Sequence, residues 1–446
     1  MSRFQAKPVA WQSLDHSIAE VHTIRPRGRI EEVVGLSILS RGPGGSVGDL
    51  VYIRPGEDEP RIPAEIVGFR SGQVILMPLG PATGVYPGAE VISTGGPMRM
   101  RCGPQLLGRI IDGLGNPVDG KGPIPTEEWH PIVCRPPSAI TRRRITTPLA
   151  TGIKAIDAFL TWGRGQRIGV FSGSGVGKST LMGMIARNTE AEINVIALIG
   201  ERGREVREFI EKDLGEDGLA RSVLIVVTSD NPALLRVKGA LAAMTVAEYF
   251  RDQGKDVLFM MDSVTRMATA QREVGLASGE PPTTRGYTPS VFAMLPGFLE
   301  RAGTCAGEGS ITGLITVLVE GDDLNEPVAD SVRAILDGHV VLTRQLAIRN
   351  HYPAVDIQQS ISRLMVDIVP EDHLMAARRL VEVLSVYRNA EDLINIGAYQ
   401  KGSNPQIDLS IRMIEPIERF LRQGIRETAT YHEAVEQLKA LAAQAA

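Results

Sequence analysis

The stretch Phe171-Ser-Gly-Ser-Gly-Val-Gly-Lys178-Ser179-Thr180 limits what this chain can fold into more than any other. Before it, Arg167-Ile-Gly-Val-Phe171 reads as a short buried strand. After it, the run from Leu181 reads as a helix. Strand, glycine loop and helix in that order form a phosphate-binding loop. Glycines let the backbone curl until consecutive N–H groups face one anion, and the helix N-terminus adds partial positive charge. The nucleotide-binding residues expected here are Ser172, Gly173, Ser174, Gly175, Val176, Gly177, Lys178, Ser179 and Thr180. Lys178 is placed to reach the β- and γ-phosphates, and the Ser179 hydroxyl to hold Mg²⁺. The motif usually opens on Gly six residues before the lysine. Ser172 stands there instead, a small hydroxyl that the loop should tolerate.

A chain of 446 residues has room for two or three domains. Hydrophobic content of 43% and charged content of 22% are those of a soluble globular protein. The formal net charge of -4 argues against a nucleic-acid-coating surface, and no nucleic acid is expected as a partner. Cys102, Cys134 and Cys305 are scattered and lack metal-ligand spacing, which suits a reducing cytoplasm. No apolar run approaches the ~20 residues of a membrane span, so any membrane contact should be peripheral.

The expected architecture is α/β, with an N-terminal small β-barrel, a central RecA-like P-loop domain with a mostly parallel sheet, and a C-terminal helical domain. Residues 1–24 form an arm in which Leu14, Ile18 and Val21 have helical spacing, as for a partner-binding helix. Residues 25–95 carry short β-rich runs between Gly/Pro turns, the pattern of a barrel or sandwich. Without aromatics interleaved with Lys/Arg, this domain reads as structural. Residues 96–370 comprise a Gly/Pro-rich linker and the P-loop domain, in which strand-like and helical runs alternate. One helix is marked by Asn231 as cap, Pro232 at its first position and Gly254 beyond its end. Apolar residues recur at steps of three and four across 371–446.

Four further features point to hydrolysis. Val257-Leu-Phe-Met-Met-Asp262 is a buried strand ending in a carboxylate able to hold Mg²⁺ beside the loop, and Arg266 follows into the same pocket. A strand over 194–199 runs through Gly200 into Glu201, where a carboxylate can take a proton from water attacking the γ-phosphate. The alternatives are a strand-end cap for Asp262 and a surface charge network for Glu201. Tyr352, before a proline, offers a flat face to adenine. Arg363, taken by itself, reads as a salt-bridge partner. Residues 271–282 and 284–290 read as one long polar loop, a place for conformational gating.

The segments Pro148-Leu-Ala-Thr-Gly-Ile-Lys-Ala-Ile-Asp157, Gly200-Glu-Arg-Gly-Arg-Glu205, Asp262-Ser-Val-Thr-Arg266 and Tyr352-Pro-Ala-Val-Asp356, with the glycine loop, resemble the catalytic subunits of rotary ATP synthases. They resemble the protein-export ATPases of bacterial flagella and type III secretion systems more closely. The likeness runs from about Arg25 to the end, and Asn395-Ile-Gly-Ala-Tyr-Gln-Lys-Gly402 is more similar to the flagellar enzyme. The resemblance implies Mg-dependent ATP hydrolysis in a homohexamer. Lys178, Ser179, Glu201, Arg202, Asp262 and Arg266 would act within one subunit, Tyr352 on adenine, and Arg363 in the neighbour's site. It also implies a stator-like regulator at the N-terminal arm, a central stalk protein, chaperone–cargo complexes at the C-terminal helices, and a cytoplasmic place beside the membrane export gate. A virulence-type secretion ATPase, a ring-shaped RNA translocase and a non-hydrolysing ring subunit are the alternatives.

Overall fold

The computed structural model describes residues 26–56, 59–126, 128–319, 321 and 323–445. The arm carrying Leu14, Ile18 and Val21 falls outside them. The chain divides into two compact units, Met1–Met98 and Arg99–Ala446.

The first unit is a closed barrel of β1 (Arg27–Val34), β2 (Ser37–Arg41), β3 (Asp49–Arg54), β4 (Ile62–Arg70), β5 (Gln73–Pro78) and β6 (Glu90–Pro97), in the order β1-β2-β5-β4-β3-β6. Alternate residues point inward, so Val51 and Ile53 of β3 join Ile30, Ile38, Ile66, Leu76 and Val91 in the barrel core. Ser71 and Gly72 join β4 to β5 with φ of 47° and 80°. Positive φ at both positions gives the turn twist that matches two antiparallel strands. Closure leaves no strand edge open to other chains.

The second unit is built on a sheet. Its strands are β7 (Arg109–Asp112), β8 (Arg167–Ser172), β9 (Ile193–Ile199), β10 (Ser222–Val227), β11 (Asp256–Asp262), β12 (Ser310–Leu318), β13 (Gly338–Leu342) and β14 (Val355–Ser362). They lie in the order β14-β13-β8-β12-β11-β9-β10-β7, parallel except for β14 against β13. The central strands are mostly apolar because both faces are covered; all seven residues of β9 are buried. The edge strand β7 comes from the Gly/Pro-rich linker, where its four residues are hidden between turns. The linker is therefore part of the domain as well as a connection.

Among the helices are α1 (Lys154–Phe159), α2 (Lys178–Asn188), α3 (Ala233–Asp252), α4 (Val264–Ala277), α5 (Pro289–Leu299), α6 (Glu371–Asn395), α7 (Pro405–Leu421) and α8 (Tyr431–Gln444), with further short helices between them, including Pro327–Ile335. Pro232 is the cap of α3, one residue later than expected, and Gly254 follows its end at φ 82°. Arg301, 1% exposed, pins the linker to α3: it donates to Ile132 O at 2.8 Å and grips Glu248 at 2.6 and 2.9 Å. A buried guanidinium is tolerated only with such partners. Arg142 and Arg144 of the same linker also have partners. Arg142 donates to Ala302 O beyond the end of α5 at 2.8 Å, and Arg144 pairs with Asp367 at 3.7 Å.

The C-terminal helices share the sheet domain's core. Leu380, Met413, Ile417, Phe420 and Leu438 belong to one cluster with Phe159, Ile168 and Val170, and the Phe159 and Phe420 rings meet edge-on at 6.1 Å. The expected long loop over 271–290 needs correction. Ser263 caps α4 by accepting from Arg266 N at 3.4 Å, and α4 continues to Ala277 with Val274 buried. The connection is thus residues 278–288. It is tied to the next loop through Arg285–Asp323 at 3.1 Å and Tyr287–Glu326 at 3.2 Å.

Candidate active site

Parallel strands bring their C-terminal ends to one edge, and the sheet order decides which side chains meet there. Ser172 ends β8 and leads into the glycine loop. Glu201 follows β9, and Asp262 ends β11. Gly175 and Gly177 have φ of 77° and 92°, where a Cβ would be strained. Gly177 caps α2 without a side-chain bond, and the first bond into the helix is Leu181 N to Gly177 O at 3.0 Å. The N–H groups of Lys178, Ser179 and Thr180 are therefore left to an outside acceptor. A Cβ on Gly175 would meet no atom within 4 Å, so the space above the loop is open.

Four charged side chains meet beside this space. The Lys178 ammonium donates to Asp262 Oδ1 and lies 3.9 Å from Glu201 Oε1. Arg266 forks onto Glu201, Nε to Oε1 at 3.0 Å and Nη2 to Oε2 at 3.4 Å. Glu201 and Asp262 are 6% and 4% exposed. Burial, then the Asp262 charge, pushes the Glu201 carboxyl up from 4.5 to about 7, against the pull of Lys178 and Arg266. A carboxylate tuned to this range is suited to accept a proton near neutral pH.

Tyr352 stands on the same edge. Its ring would lie 3.5 Å from a Cβ on Gly177, and its carbonyl accepts from Gln423 N at 2.9 Å. The chain then enters β14, which runs antiparallel to β13 and away from the loop. Arg363 follows the last residue of β14. Its N–H donates to Asp337 O at 3.0 Å, and Asp337 in turn bonds Arg167 at the start of β8. The whole length of β8, roughly 17–20 Å at strand rise, separates Arg363 from the loop of its own chain. The sheet brings together Lys178, Glu201, Asp262, Arg266 and the loop; it does not bring Arg363 to them.

Family models match for the ATP synthase alpha/beta family's beta-barrel domain over residues 30–95, its nucleotide-binding domain over 152–362, and the T3SS EscN ATPase C-terminal domain over 369–440. The flagellum-specific ATP synthase of Bacillus subtilis is 52% identical, covering 96% of this chain and 98% of its own. The type 3 secretion system ATPase of Xanthomonas euvesicatoria is 48% identical, covering 97% of each. This chain belongs to the ATP synthase alpha/beta family. Within that family it is a P-loop ATPase of the flagellar and type III secretion kind. The assembled ATPase EscN of the enteropathogenic E. coli type III secretion system has the same fold, with a TM-score of 0.88 and 45% identity over 93% of this chain and 100% of that one. A second structure holds EscN in complex with its central stalk EscO, with a TM-score of 0.86 at 45% identity over the same shares.

In this ATPase, three expected site residues stand apart from the cluster. The Arg202 side chain is 75% exposed and pairs with Glu205 at 3.7 Å. The Thr180 hydroxyl bonds Asp213, which leaves its N–H for an anion. Ser172 is 2% exposed, and its hydroxyl finds no hydrogen-bond partner among the described residues. Ser172→Ala should therefore keep ATP turnover within about twofold and stabilise the fold by about 1 kcal/mol, because an unmet hydroxyl is removed. Parallel denaturant and phosphate-release curves check this, and a lost turnover would show that the hydroxyl serves the loop. Two polar residues were not singled out from sequence, Thr316 and Gln423. Thr316 was detectable, with Thr312, as a polar residue inside the apolar run 311–319; nothing local marks Gln423. No described helix is long and apolar enough to cross a membrane.

Proposed function

We propose that this ATPase works as a homohexameric ring whose catalytic sites are completed between neighbouring copies, and that its turnover energises protein export by flagellar-type machinery. The observation that carries the ring is the position of Arg363. It is exposed, and it sits on the sheet edge opposite the phosphate loop. A guanidinium there is out of reach of its own chain's nucleotide and free to enter another's. The assembled form of EscN supports this reading, as does its complex with a central stalk.

Within one copy, the roles follow from the cluster. The loop N–H groups and Lys178 bind the phosphates of ATP. Glu201 takes a proton from the attacking water; Arg266 orients it, and four lone-pair positions on the carboxylate leave room for both. Tyr352 stacks on adenine, and Arg202 lines the approach. Ser179 and Asp262 would hold Mg²⁺, which when bound shields the phosphate charge. A hard cation prefers oxygen donors, and Mg²⁺ keeps several waters beside one or two carboxylates and the substrate phosphates. A single hydroxyl and a single buried carboxylate next to an open anion cradle fit that demand. Among the described residues no group of three or more His, Cys, Asp or Glu offers a fuller cage.

The flagellar rather than virulence assignment rests on the 395–402 segment. The stator-like regulator, stalk protein, chaperone–cargo complexes and peripheral contact with the membrane export gate are read from the family likeness. The ring is tested by specific activity against protein concentration. Activity per chain should rise steeply where light scattering shows hexamers forming. Full turnover by monomers at every dilution would sink the proposal.

A further inference from the structure

The strand order separates the two halves of the phosphate site. The loop follows β8 and the carboxylate Asp262 ends β11, and between them runs β12. Val170 of β8 pairs with Thr316 of β12, and Met261 of β11 pairs with Ile315, so Thr316 comes level with Asp262. Most of β12 is apolar and buried. Thr316 is 0% exposed, and a buried hydroxyl there needs a partner. It has two within reach, Asp262 Oδ1 at 2.8 Å and Met261 O at 3.1 Å. One O–H proton serves one acceptor fully, and the shorter, charged one is the stronger.

We infer that Thr316 is a positioning residue that sets the rotamer of Asp262 and so the aim of its carboxylate toward the nucleotide's cation. Its hydroxyl and the Lys178 ammonium both engage Oδ1. Oδ2 accepts no hydrogen bond among the described residues, which leaves this oxygen for the cation. Lys178 has to turn to the phosphates when a nucleotide enters. Thr316, fixed on a central strand, then becomes the group that keeps the carboxylate from rotating away. The inference rests on the reading of Asp262 as a holder of the cation.

The test compares Thr316→Val, which keeps the shape and loses the hydroxyl, with Thr316→Ala and Thr316→Ser in the full-length chain. The probe is a fluorescent methylanthraniloyl ADP, titrated first in EDTA and then with MgCl₂. In EDTA all variants should bind like the parent, since the loop and Lys178 are intact. The Mg²⁺ concentration for the metal-dependent gain in affinity should rise about tenfold in Thr316→Val and Thr316→Ala, the weight of one charge-assisted bond, and return to within about twofold in Thr316→Ser. Val and Ala variants that melt like the parent and need no more Mg²⁺ overturn the inference, as does a Ser variant that fails to restore the parent value. Asp262→Ala is run alongside. If it loses the metal-dependent gain while Thr316→Val keeps it, only the role of the hydroxyl falls. If it too keeps the gain, the reading of Asp262 falls with it.

Discussion

Glu201→Gln should bind ATP about as tightly as the parent chain and turn it over about 10²–10⁴ times more slowly, the span of a lost general base. The amide keeps the size of the side chain and one acceptor for Arg266, so the pocket should persist. What is lost is the capacity to take a proton. The same group sets the pH profile. Burial beside Asp262 holds Glu201 protonated up to about pH 7, and only its unprotonated form is a base. The kcat/KM of the parent should therefore rise with pH, roughly tenfold from pH 6 to pH 8, as expected for one group titrating near 7. The residual rate of the Gln variant should be flat over that interval. Normal turnover in the Gln variant would show that another group is the base.

Arg363→Ala has the second large effect. An arginine delivered to a phosphoryl-transfer site from a neighbouring chain contributes about 10³–10⁵ in kcat, so the variant ring should be nearly inactive although its own loop is intact. Lys178→Ala should be inactive for the opposite reason. Mixed in equal amounts and allowed to exchange, the two should recover part of the parent activity. An interface that takes its loop from the Arg363→Ala chain and its arginine from the Lys178→Ala chain has both groups, and about a quarter of randomly formed interfaces in a cyclic ring are of this kind. An arginine acting within its own chain gives no recovery at all. The architecture predicts recovery because β14 carries the chain from Tyr352, beside the loop, to Arg363 on the far edge.

The parts of the site that could be read from the chain alone are those with a local cause. The glycines that must adopt positive φ, the lysine and serine that open a helix, and the carboxylates that end apolar strands each announce themselves within about ten residues. The barrel was legible for the same reason, since alternation and turn residues recur in every hairpin. Other elements carry only a short or ambiguous local signal. The strand Arg109–Asp112 is masked by the turns around it. The run over 271–277 has no clear helical apolar face, because Gln271, Arg272 and Glu273 are half-buried and Leu276 is exposed, leaving Val274 as the one large apolar side chain buried there.

Lys178, Glu201 and Asp262 thus became candidates from sequence, each by its own neighbours. Which of them touch was decided by the pairing of strands far apart in the chain. Only that pairing sets Asp262 against Lys178 with Thr316 between their strands and turns Arg363 away from the loop eleven residues after Tyr352, while the packing of the C-terminal helices brings Gln423 to that tyrosine's carbonyl. Backbone preference and hydrophobic period act over a few residues, so they name the elements. Sheet order is settled by burying many apolar faces at once, and no short stretch of sequence carries it.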